Sequence, residues 1–213
     1  MPDIKQKALL FHKLSDKVAK DKVLSHAQAV QVFDFFKTNL LFKWSDVNNN
    51  CEGRAEAISI LLEEWKITNY KGWVLGGGML KKGPGSLRNN WKYHVAALLP
   101  VQEKDEIVYY IIDPATSDKL ETLSDWAHSV TAYPLTYYLI KRRDHYIFMP
   151  GKIKKNNWFE RSSQNYKWTM QGLSGINGLS STGKAYLSFN KKKISRTEKK
   201  FSALKKSESP FLF

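Results

Sequence analysis

The chain contains one cysteine, Cys51, and its setting is that of a nucleophile. Three asparagines precede it and Glu52 follows. From residue 51 onward, Ala55, Ile58, Leu61, Leu62 and Trp65 recur at helical spacing, with Glu52, Glu56 and Glu63 turned away from that stripe. Asn50 is placed as an N-cap, which puts Cys51 in the first helical turn. There the unpaired backbone N–H groups and the positive end of the helix dipole favour thiolate over thiol. A free cysteine is more commonly a small buried apolar residue. The polar approach through Asn48, Asn49 and Asn50 separates this one from that default.

A thiol nucleophile needs a base, and the base needs something to orient it. The histidines are His12, His26, His94, His128 and His145. His94 lies inside an apolar segment, residues 91–99, that reads as a strand. Alternation puts Lys92, His94, Ala96 and Leu98 on one face and Trp91, Tyr93, Val95, Ala97 and Leu99 on the other. A second strand follows over residues 107–113. If the two form a hairpin centred between Glu103 and Lys104, His94 stands directly opposite Asp113, Ala96 opposite Ile111, and Leu98 opposite Tyr109. A carboxylate at 113 can accept a ring N–H, fix the tautomer and stabilise the imidazolium. Asp113 also precedes Pro114, where an aspartate commonly starts a turn; the two roles are compatible.

Three motifs in this order carry a resemblance: Cys51-Glu52-Gly53-Arg54-Ala55, then Trp91-Lys92-Tyr93-His94-Val95-Ala96, then Ile112-Asp113-Pro114. Over about residues 44–150 the chain resembles the bacterial protein-glutaminase (protein-glutamine deamidase) family. The resemblance implies a papain-like α+β fold and a Cys-His-Asp triad. It also implies hydrolysis of the side-chain amide of protein-bound glutamine to glutamate, with release of ammonia. Carried over by motif, Cys51 is the nucleophile, His94 the base and acid, and Asp113 the orienting group. Such chemistry needs no metal or organic cofactor. The oxyanion requires donors, and the backbone N–H of Cys51 is one; the loop ending at Asn50, with Ser45, is the candidate source of a second. Trp91 and Tyr93 flank the histidine and are candidates to line or support the site.

The rest of the chain must position these groups. Residues 4–24 and 25–43 read as two helices, the second capped by Ser25 and carrying Ala29, Val32, Phe33, Phe36 and Leu40 on one face. Strands follow at 70–75, 91–99, 107–113, 135–141 and 145–149, with a glycine-rich loop at 76–90 and a short helix opening at Ser124. Helices followed by strands indicate an α+β domain, with the nucleophile helix packed on an antiparallel sheet. The expected division is a catalytic domain over 1–150 and a basic, partly helical extension over 151–213, with helical segments near 158–171 and after Lys191 and a loose end at 207–213. Residues 1–150 hold 20 basic and 17 acidic side chains; residues 151–213 hold 14 and 3. The extension is therefore suited to an acidic partner or an anionic membrane surface, or it is a solvated tail.

Several classes are excluded. One cysteine makes neither an internal disulfide nor a cysteine zinc cage. No run approaches a transmembrane span, and the lysine-rich first 22 residues lack a signal-peptide core, so the expectation is a protein cytosolic where it is made. A protein-modifying enzyme of this kind suits a bacterial effector delivered to a host or rival cell by a specialised secretion system. No nucleic-acid motif is present. The substrate partner expected is a protein presenting an exposed glutamine. Two other readings compete with the deamidase. One is a thiol protease, transglutaminase or acyltransferase with the same triad, since the residues do not say which nucleophile resolves the thioester. The other is a basic, non-enzymatic binding module in which Cys51 is structural.

Overall fold

One strand divides the two cores of this protein. The computed structural model describes residues 21–44, 50–75, 93–130, 136–140 (backbone), 163–176 and 188–211. In chain order these form β1 (Leu24–Ser25), α1 (His26–Thr38), α2 (Cys51–Glu64), β2 (Tyr70–Leu75), β3 (Tyr93–Glu103), β4 (Glu106–Ile112), β5 (Glu121–Thr122), α3 (Leu123–Val130), β6 (Thr136–Ile140), α4 (Ser163–Leu173) and α5 (Lys191–Lys206). The sheet runs β5-β4-β3-β2-β6, antiparallel throughout, with β1 added parallel to β3 beyond the end of β2.

Successive residues of β3 point to opposite faces. Ala97, Leu99 and Val101 join a core with Phe33 and Phe36 of α1 and Ile58, Leu61 and Leu62 of α2. Met170 and Leu173 of α4 and Phe201 of α5 complete it. Ala96 and Leu98 belong to a second core, with Ile111 of β4 and Leu123, Trp126 and Ala127 of α3. The architecture is α+β, as the order of elements implies.

The ends of the helices follow from local chemistry. Ser25 and Gln28 form a reciprocal capping box, Ser25 Oγ accepting from the Gln28 N–H and Gln28 Oε1 from the Ser25 N–H. α1 stops at Thr38 rather than at 43, because Asn39 turns to extended backbone and Lys43 takes a left-handed φ of 46°. α2 ends in a Schellman arrangement: Lys66, at φ 57°, lets Ile67 N–H reach the Leu62 carbonyl at 2.8 Å.

Some expectations are corrected. Residues 24–25 form a strand, where a helix through 24 was anticipated; residues 1–20 lie outside the described residues. β3 runs through Pro100 to Glu103 instead of ending at Leu99. Pro100 sits between Leu98, the last partner of β2, and Val101, the first partner of β1, where β3 has a gap in one flanking ladder. A residue without an N–H is tolerated there. The end of the chain is not loose through 211: Phe211 packs edge-on against Phe35 and Trp65, at 5.5 and 5.7 Å between ring centroids. Glu56 does not face solvent. It is fully buried and joined to the equally buried Lys71 of β2 at 2.5 Å. The glycine-rich loop at 76–90 and the strand at 145–149 lie outside the described residues.

Candidate active site

The hairpin of β3 and β4 carries two of the three proposed catalytic groups, and its register differs from the expected one. Its turn is Lys104-Asp105, with Lys104 at φ 49°, and Glu103 pairs with Glu106. Leu98 therefore faces Ile111, and Pro100 faces Tyr109. The shift is two residues, an even number, so every side chain keeps its face. His94 and Asp113 stay on the same side but meet diagonally. Pairing stops at Ala97–Ile112, one residue short of Asp113, which leaves that carboxylate outside the ladder. It reaches His94 Nε2 at 2.7 Å.

Asp113 Oδ2 also accepts from Thr116 Oγ1 at 2.6 Å and Trp126 Nε1 at 3.0 Å. The Thr116 and Ser117 N–H groups bond to the Asp113 carbonyl, so the residue both starts the turn and holds the imidazole. Burial alone would push the carboxyl up. The charge of His94 and the hydrogen bonds from His94, Thr116 and Trp126 outweigh it and hold the pKa below the ordinary 3.8. The indole of Trp126 lies 5.6 Å from the His94 ring between centroids. With Nε2 committed to Asp113, Nδ1 is the nitrogen left to exchange a proton with a thiol.

Cys51 begins α2, as expected, and is 5% exposed. Its sulfur is within hydrogen-bonding reach of the backbone of Val95, the residue after His94. The thiol donates to Glu52 Oε2 at 3.4 Å, and the hydroxyl of Tyr93 donates to Glu52 Oε1. The expectation of a preformed thiolate is corrected. Burial pushes the thiol well above its ordinary 9.0, and the Glu52 charge adds to that; the Arg54 charge and the Val95 N–H oppose them without prevailing. The helix terminus is outweighed by desolvation and a neighbouring carboxylate. One consequence is measurable. Glu52→Gln removes a charge that favours the neutral thiol, so iodoacetamide should modify Cys51 faster at neutral pH in that variant than in wild type. An unchanged rate would contradict the arrangement.

Asn50 occupies the N-cap position, but its side chain makes no capping bond. It is wedged where α4 crosses the start of α2: a Cβ at Gly53 or at Gly172 would collide with its amide. Two glycines thus allow α4 to press on the turn before Cys51. Of the other sequence candidates, Tyr93 is at the site through Glu52, while Ser45 and Trp91 lie outside the described residues. Sequence reading missed Glu52, Thr116, Trp126 and Arg54. The spacing Asp113-Pro114-Ala115-Thr116 was a usable signal for Thr116, because a hydroxyl three residues on commonly closes a turn onto an aspartate. No local signal pointed to Trp126, whose contact depends on how α3 crosses the sheet.

A family model described as glutaminase matches residues 13–130, more than half of the chain. This chain belongs to the glutaminase family. A search of curated proteins finds no match. Among solved structures, the NMR structure of protein-glutaminase from Chryseobacterium proteolyticum is similar, with a TM-score of 0.51 and 19% identity. The match covers 75% of this chain and 92% of that one. At that identity the likeness concerns the fold, which is thereby the papain-like α+β fold expected for the family. The matched region contains Cys51, His94 and Asp113. Among the described residues no helix is long and apolar enough to cross a membrane.

Proposed function

We propose that this glutaminase-family enzyme hydrolyses the side-chain amide of protein-bound glutamine through Cys51, His94 and Asp113. The observation that carries the reading is the 2.7 Å contact of His94 Nε2 with the buried Asp113 carboxylate, on a strand whose next residue, Val95, presents its backbone to the thiol at the start of α2. The similarity in fold to a protein-glutaminase supports the substrate class.

The free enzyme holds a neutral thiol, so the proton leaves as the nucleophile attacks. His94 Nδ1 takes the Cys51 proton while sulfur bonds to the amide carbon. The carbonyl π electrons move to oxygen, and the backbone N–H of Cys51 faces the resulting oxyanion. Asp113 stabilises the imidazolium and keeps it in place. Collapse of the tetrahedral intermediate breaks the carbon–nitrogen bond as His94 donates its proton to the departing nitrogen, giving ammonia and a thioester. Water then attacks the thioester with His94 as base. Breaking the carbon–sulfur bond returns the proton to sulfur and releases glutamate.

Reaction in 18O-labelled water tests this route. One labelled oxygen should enter the new glutamate side chain, with the polypeptide uncut. Cleaved chains would favour a thiol protease, and incorporation of an added amine a transglutaminase. The reading extends to action in a host or rival cell after specialised secretion, in keeping with a chemistry that alters proteins; translocation of a tagged copy into recipient cells tests that part.

A further inference from the structure

A cleft of about 450 Å3 lies between the turn that follows α1, the end of α4 and one face of α5. It shares no residue with the Cys51 site. Lys43, Lys193, Arg196 and Lys200 line it, and among the described residues no carboxylate does. The last three recur along α5 at a spacing of three and four residues, so they stand on one face. The helix has other charges, but they are placed elsewhere. Glu198 is not among the lining residues, and Lys205 is joined to Glu64 of α2 at 3.6 Å. Leu40, Leu41, Leu173 and Leu204 form the apolar part of the wall. Leu40 is 91% exposed at this position. The three α5 cations, Lys193, Arg196 and Lys200, repel each other across one face, and a leucine held in water gains nothing in the isolated chain. Both features become favourable when an anionic group with an apolar neighbour enters.

We propose that this cleft is a docking site for an acidic segment of the protein substrate, with carboxylates facing the α5 cations Lys193, Arg196 and Lys200 and an apolar side chain against the leucines. The proposal rests on the deamidase reading above. The triad acts on a side-chain amide common to every glutamine, so selection among proteins requires contacts elsewhere. Concavity favours a peptide over a bilayer: a flat surface of anionic headgroups meets cations on a convex or planar face, whereas these line a recess between helices.

The probe is a fluorescein-labelled peptide of glutamates interspersed with leucines, its binding read by fluorescence anisotropy. Wild-type protein is expected to bind it, more weakly as salt rises. Arg196→Glu combined with Lys200→Glu is expected to weaken binding about tenfold or more. Lys199→Glu combined with Lys206→Glu makes the same change in net charge on the same helix away from the cleft, and should leave affinity near wild type. Absence of wild-type binding, or equal loss in both double variants, would overturn the proposal. Arg196-dependent sedimentation with phosphatidylserine vesicles, uncompeted by the peptide, would also overturn it, in favour of a membrane site.

The catalytic reading is separated by two glutamine substrates. On a blocked glutamine dipeptide, the Arg196/Lys200 variant should match wild type. On a glutamine peptide extended by the acidic segment, its KM should rise about tenfold with kcat unchanged. No turnover of either substrate by wild type would count against the deamidase, and the anisotropy result would still decide the cleft.

Discussion

Asp113→Asn is expected to lower kcat for glutamine deamidation on the order of 10³-fold while leaving a folded protein at neutral pH. Asparagine keeps an oxygen for Thr116 Oγ1 and Trp126 Nε1, which both donate to Asp113 Oδ2, but it loses the charge that stabilises the His94 imidazolium. Asp113→Ala goes further. Thr116 Oγ1 can still donate to the carbonyl of residue 113 and Trp126 Nε1 to Thr116 Oγ1, but His94 Nε2 loses its carboxylate, at about 1–3 kcal/mol for the buried group. The alanine variant should therefore melt well below the asparagine one. The carboxyl is held below its ordinary 3.8 in the folded state. Its ionisation thus contributes stability that is complete above that value and is lost as pH falls through the depressed one. The stability gap between wild type and Asp113→Asn should be flat from neutral pH down to the ordinary carboxylate range and shrink below it. Denaturant titrations across acid pH check the slope, and a gap that widened on acidification would contradict the assignment.

Lys71→Met is expected to cost about 3–5 kcal/mol of stability. The Lys71 ammonium meets the Glu56 carboxylate at 2.5 Å, with both side chains 1% exposed. Removing one charge strands the other in a low-dielectric interior. Replacing both, as Glu56→Leu with Lys71→Met, should recover most of the loss, because the desolvation penalty of the two ions disappears with their attraction. Glu56 lies on α2 five residues after Cys51, and Lys71 lies on β2, paired with Ala97 of β3. The pair ties α2, which begins at Cys51, to the strand beside the one that carries His94. In the double variant, urea midpoints should return towards wild type while kcat remains reduced. A Lys71→Met unfolding free energy within about 1 kcal/mol of wild type would show that this pair is not held as described.

What could be read from the sequence was local. Cys51 at a helix start, His94 within a strand and Ser25 as a cap each follow from residue types at short spacing, and each holds in the structure. The face shared by His94 and Asp113 survived because strand alternation depends only on parity. The exact pairing did not survive, since a two-residue turn at Lys104-Asp105 costs a left-handed backbone that lysine does not advertise. Burial was the other blind spot. Glu56 looked like a solvent-facing helix residue, yet α2 is covered around most of its circumference by β3, α4 and α5, and the charge is met by Lys71 from a distant strand. The state of Cys51 was misjudged for the same reason: a helix terminus is visible in sequence, whereas enclosure of the thiol and the position of the Glu52 carboxylate are tertiary.

The most direct test of the account is ammonia release from a blocked glutamine peptide by wild type and by Cys51→Ala. The alanine variant should fold as wild type does, since it replaces one small buried side chain with another. Release by wild type with glutamine converted to glutamate, and none by Cys51→Ala, is the predicted result; equal release by both would contradict it.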